Sequence, residues 1–103
     1  MYLDFIFKIA AYIEKHYSEP SITMNKKKFY KRSAECFILN NAIIKCLDNQ
    51  NENPLSIFDN LILENILAYK ECVQLESKYL HLIFINALMA VRNFILVNEK
   101  ELI

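Results

Sequence analysis

A chain of 103 residues has room for one domain around one core, and a 54% hydrophobic, 23% charged composition is that of a chain expected to bury a core rather than to be disordered. It contains no glycine, which largely excludes the positive-φ devices of phosphate loops, nucleophile elbows and tight hairpins and leaves helices joined by short turns. Twelve basic and twelve acidic residues cancel, so the molecule as a whole has no strong electrostatic preference for nucleic acid or membrane.

The fold expected is all-α, a compact bundle of about four helices forming a single domain over residues 1–103. The first helix spans Tyr2–Tyr17, with Phe5, Ile6, Ile9, Tyr12, Ile13 and His16 at helical spacing and Asp4, Lys8, Glu14 and Lys15 on the other side. Ser18-Glu19-Pro20 stops it, because a residue before proline is pushed out of the α region. With Asp4 and neither a basic segment nor a small-residue cleavage site, the opening residues are not expected to form a signal peptide.

A second helix begins between Ser21 and Asn25 and runs to about Leu47, with an apolar stripe of Phe29, Cys36, Phe37, Ile43, Ile44 and Leu47 and Asn40 inside it. Asn40 reads as a hydrogen-bonded core amide or as a local break with Asn41. The run 48–53 before Pro54 is the clearest connection, and Ser56 is the expected cap of a third helix with core face Phe58, Leu61, Ile62, Ile66, Tyr69, Cys72 and Val73. Residues 55–103 lack both proline and glycine, so either one long helix runs through or the chain bends near Gln74–Ser77, the version that suits a compact domain. A fourth helix then spans Ser77 to about Asn98. Tyr79–Val97 approaches bilayer length, but His81, Asn86, Arg92 and Asn93 interrupt it, and a soluble helix is expected rather than a transmembrane segment.

Two surfaces stand out. Lys26, Lys27, Lys28, Lys31 and Arg32 place five of the twelve positive charges within seven residues, and nine acidic against five basic residues follow, a net of −4. The run reads as a solvated helix start or as a patch for phosphate, anionic lipid or an acidic protein, with Tyr30 available to stack on a base. The second surface is apolar. Leu63 and Leu67 fall among polar residues of the third helix, while Leu82, Ile85, Met89 and Leu96 form a narrow seam on the fourth, opposite the broad face of Leu80, Ile83, Phe84, Ala87, Leu88, Val91, Phe94 and Ile95. Leu82, Met89 and Leu96 repeat at heptad spacing.

Chemistry is sparse. His16 and His81 lack metal-site spacing, no cofactor or metal is implied, and Cys36, Cys46 and Cys72 read as reduced thiols of a cytoplasmic protein. Two short segments carry resemblances. Ala11–Pro20 resembles the first helix of AraC-type DNA-binding domains over about a tenth of the chain, with Lys26–Lys28 where the family continues into its next helices. Arg92-Asn93-Phe94-Ile95-Leu96-Val97-Asn98 is similar to the Arg-Asn…His motif of the HEPN ribonucleases, which are helical-bundle dimers. With Asn98 in place of the histidine the likeness implies an inactive relative, since a neutral amide cannot transfer the proton.

The sequence therefore predicts a non-enzymatic protein–protein interaction module (an adaptor, inhibitor or accessory factor) that self-associates as a homodimer or binds another protein through Leu63, Leu67, Leu82, Ile85, Met89 and Leu96. No small-molecule substrate is expected. The alternative is a nucleic-acid-binding protein using Lys26, Lys27, Lys28, Tyr30, Lys31 and Arg32.

Overall fold

A computed structural model describes residues 1–101; Leu102 and Ile103, part of the expected domain, lie outside them. Four helices follow in order, α1 (Leu3–His16), α2 (Lys26–Asp48), α3 (Pro54–Glu71) and α4 (Leu75–Asn98), and a 3₁₀ turn, Glu99–Glu101, closes the described chain. They run up and down as a bundle without strands among the described residues. The N–H of Tyr2 donates to the carbonyl of Gln50 at 2.9 Å, tying the start of α1 to the α2–α3 connection at one end. The Cys36 thiol, midway along α2, donates to the Tyr17 carbonyl at 3.3 Å and sets the end of α1 level with the middle of that longer helix.

Helix starts follow the asparagines. Asn25 caps α2, its side-chain oxygen accepting from the Lys28 N–H at 2.9 Å. Asn53 caps α3, accepting from the Leu55 N–H at 3.0 Å, and Pro54 fills the first helical position, where no N–H is needed. Ser56, the expected cap, lies instead inside the first turn of α3, because Asn53-Pro54 is the stronger start signal and places the cap three residues earlier. No described residue has a positive φ, so every helix stops without a left-handed cap: there is no glycine to supply one, and Asn49 at the end of α2 does not take that conformation. The bend after α3 is real: Cys72 and Gln74 are extended, and α4 starts at Leu75, two residues before the expected Ser77.

The core is built from Phe5, Ile6, Ile9 and Ile13 of α1, Ala34, Ile38, Leu39, Ala42 and Cys46 of α2, Ile57, Phe58 and Leu61 of α3, and the broad face of α4. Ile83, Phe84, Ala87, Leu88, Val91 and Ile95 are all buried there, with Leu80 and Phe94 packed at the edge, as the apolar periodicity predicts. Tyr12 stacks on Phe94 with ring centroids 4.0 Å apart, joining α1 to α4.

Helix α2 is rotated from the expected orientation. Phe29, Phe37 and Ile44 are exposed, Cys36, Ile43 and Leu47 are half-buried, and Asn40 faces solvent rather than the core. The buried face holds two alanines, Ala34 and Ala42, whose size lets the α2 backbone approach its neighbours closely. The same face holds Ile38, Leu39 and Cys46 at helical spacing with the alanines, residues that a stripe drawn through Phe37 and Ile44 passes over. On α3, Ile62, Ile66, Tyr69 and Cys72 are half-buried, whereas Val73, assigned to the core face, lies past the helix end in open solvent.

Candidate interaction surfaces

Helices α3 and α4 form an antiparallel hairpin whose register is fixed by side-chain contacts along its length. Asn53 donates to the Glu99 carboxylate at 2.7 Å, Arg92 pairs with Asp59, and Lys78 donates to the Tyr69 carbonyl at 3.3 Å. That order brings Leu63 level with Leu88–Met89, and Ile66 level with Ile85. On the outer side of this hairpin Leu63 and Leu67 are 56% and 52% exposed, and Leu82, Met89 and Leu96 are 40%, 47% and 47% exposed. Ile85 does not join them. It is 9% exposed, turned into the α3–α4 contact, because it lies one step around the helix from the seam toward Arg92 and His81, the residues that touch α3.

The molecule is broad enough to leave these side chains wet. Its accessible surface is 6895 Å², against about 6,100 Å² expected for a compact protein of this mass. Its radius of gyration is 14.1 Å, where about 13 Å is typical for 100 residues, and its extents are 41 × 34 × 23 Å.

The basic run occupies the first two turns of α2. Lys26, Lys27, Lys28 and Lys31 are exposed, and neither ion pair among the described residues uses a lysine. No acidic residue stands in the first turn of α2, so these charges oppose the positive end of the helix dipole. Arg32 is not part of the free patch. Its guanidinium pairs with Glu35 at 3.2 Å and donates to the Ser18 carbonyl, also at 3.2 Å, bracing the α1–α2 connection. The Tyr30 ring is 44% exposed and lies near parallel to that of Tyr79, with ring centroids 6.3 Å apart. Sequence periodicity within one helix gives no sign of that pairing, since Tyr79 comes from α4.

The one meeting of cysteine and histidine is Cys72 with His81, Sγ to Nδ1 3.8 Å. The same Nδ1 lies 2.7 Å from the Ser77 carbonyl, an acceptor only, so Nδ1 carries the proton and cannot take one from the thiol. Burial pushes the Cys36 thiol up, away from the reactive thiolate form. Tyr17 is raised by burial and by Glu35, with Tyr12 adding and Arg32 opposing. Among the described residues no group of three metal-ligating side chains gathers, and no buried side-chain polar atom lacks a partner.

Arg92 and Asn93 also separate. Arg92 is bound to Asp59, Asn93 is exposed, and the Asn98 amide donates to the Phe94 carbonyl at 2.8 Å along its own helix. Among the described residues α4 alone is long and apolar enough to cross a membrane; within the bundle its broad face is the core. The fold and its surfaces thus define an all-α four-helix bundle with an open apolar hairpin face and an unpaired basic helix start. No protein-family model matches the chain, and no curated protein or solved structure does so either.

Proposed function

We propose that the protein is a non-enzymatic interaction module, cytoplasmic and without a cofactor, that pairs with a second copy of itself through the outer face of the α3–α4 hairpin. The observation that carries this reading is the line of Leu63, Leu67, Leu82, Met89 and Leu96, each about half exposed on one hairpin. Half-exposed leucines spread over two antiparallel helices form a strip, and contiguous apolar strips on small proteins are contact sites. A two-fold axis across such a strip sets each residue against the same patch of the partner, so one sequence feature supplies both sides. Helix-on-helix packing at heptad spacing along Leu82, Met89 and Leu96 is the expected geometry.

The test is the mass in solution. Light scattering on a size-exclusion column is expected to give a dimer for the native chain and a monomer for Leu63→Glu and Met89→Glu, with helical circular dichroism retained. A monomeric native chain, or an unchanged mass after both substitutions, ends this reading.

A further inference from the structure

The most exposed aliphatic side chains within the bundle's connections gather at one end of it. Ile22, Val73 and Leu75 are 95%, 93% and 81% exposed. All three lie toward the end where α3 finishes and α2 and α4 begin: the Tyr30–Tyr79 ring contact sets the first turns of α2 and α4 level, and Ile22 lies in the connection three residues before the Asn25 cap of α2. Ile22 is held at the tip of a turn closed by the Met24 N–H on the Ser21 carbonyl at 3.0 Å. Val73 sits at the apex of the α3–α4 connection between the extended residues Cys72 and Gln74. Leu75 borders an open groove of about 470 Å³ that it shares with Tyr69, Glu76, Lys78, Tyr79 and Leu82.

The same end carries the positive charge. Residues 17–31 and 70–79 hold six lysines and three glutamates, Glu19, Glu71 and Glu76. At the opposite end Asp4, Asp48, Glu52 and Glu99 outnumber Lys45 and Lys100. The bundle is therefore polar along its axis, and its positive tip is also its aliphatic tip.

We propose that this tip binds the surface of an anionic lipid bilayer. Ile22, Val73 and Leu75 enter the acyl boundary, Tyr30 and Tyr79 sit at headgroup depth, and Lys26, Lys27, Lys28 and Lys31 face the lipid phosphates. Peripheral attachment needs two signals, because a few aliphatic side chains or a few lysines each bind weakly, and this tip supplies both. The combination favours lipid over nucleic acid. Bare aliphatic tips gain nothing from a phosphate backbone, the Tyr30 and Tyr79 rings already face each other, and the one nearby guanidinium, Arg32, is engaged with Glu35.

The experiment is cosedimentation of the full chain with vesicles of phosphatidylcholine alone and of phosphatidylcholine mixed with phosphatidylserine, at low and high salt, beside a single-stranded RNA oligonucleotide. Binding is expected only to the phosphatidylserine vesicles, weakening with salt. Replacing Lys27, Lys28 and Lys31 together by Gln is expected to lower the partition coefficient about 100-fold, at about five-fold per lysine. Val73→Ser with Leu75→Ser is expected to lower it about ten-fold or more, while Val97→Ser, an exposed position at the far end, leaves it unchanged. All these positions are exposed, and helical circular dichroism checks that each variant folds. The proposal is overturned by any of three results. These are no binding to phosphatidylserine vesicles at low salt, binding that ignores Val73 and Leu75 or responds equally to Val97, and RNA binding that exceeds vesicle binding and depends on the same lysines. A monomeric chain that still binds vesicles would remove the dimer and leave this inference standing, so the two readings fail separately.

Discussion

At the scale of single residues, the thiols are sorted by depth. Cys46 is fully buried, and burial, with a smaller contribution from Glu52, pushes its pKa up from 9.0 to about 12. The folded state keeps that proton where the unfolded chain loses it. The resulting stability is complete below 9.0 and is lost as pH rises toward about 12. Urea denaturation across this window is expected to show falling stability, with a shallower slope in Cys46→Ala. Maleimide labelling at neutral pH is expected to reach Cys36 and Cys72, both half-buried, well before Cys46. Labelling of all three at one rate would contradict the burial of Cys46. Arg92 belongs to the same scale. Its partner Asp59 sits on a partly exposed hairpin surface, so Asp59→Asn is expected to cost under about 1 kcal/mol in urea denaturation. Sequence inspection singled out Arg92 for its neighbour Asn93; its actual partner lies 33 positions away, beyond the reach of any local pattern.

At the scale of elements, the caps carry most of the boundary information. Asn25→Ala is expected to lower stability by about 1 kcal/mol and Asn53→Ala by more, because Asn53 also holds Glu99 and so pins the end of α4 to the start of α3. Equal effects in urea denaturation would show that the Asn53–Glu99 bond contributes nothing. Helix number, the bend after α3 and the broad face of α4 were legible because proline, asparagine and 3.6-residue periodicity act locally. The orientation of α2 was not. Ala34 and Ala42 face inward because small side chains allow close helix approach, while Phe37 lies outside with its ring 5.9 Å from that of Phe84. A stripe drawn through the phenylalanines passes over Ile38 and Leu39, which share the buried face with the two alanines, and so is rotated away from the core while keeping Ile43 and Leu47 at its edge. Ala42→Leu is accordingly expected to cost about 1–3 kcal/mol by overpacking, and Asn40→Ala close to nothing, both read by thermal or urea unfolding. The reverse order would restore the stripe centred on Asn40.

For the whole molecule, surplus apolar surface is the governing quantity. The composition announces it, and the hairpin locates it at Leu63, Leu67, Leu82, Met89 and Leu96. Ile85 shows the limit of that legibility, since a heptad seam and the helix–helix contact beside it differ by a fraction of a turn. If two copies share this face, the unfolding midpoint rises with protein concentration in the native chain and is independent of it in Met89→Glu; a midpoint fixed across concentrations in the native chain would argue against pairing.

Seven residues of α4 are buried, more than in any other helix, and α1, α2 and α3 all pack on it. Of the four, α4 is also the last to be synthesised. On the ribosome, Ile6, Leu39 and Phe58 emerge before the helix with the largest buried face, and the bundle closes only after Ile95 has been made. A chain cut short within residues 75–95 is accordingly expected to leave core residues of the first three helices bare and to lose solubility, which the soluble fraction of truncated chains would check.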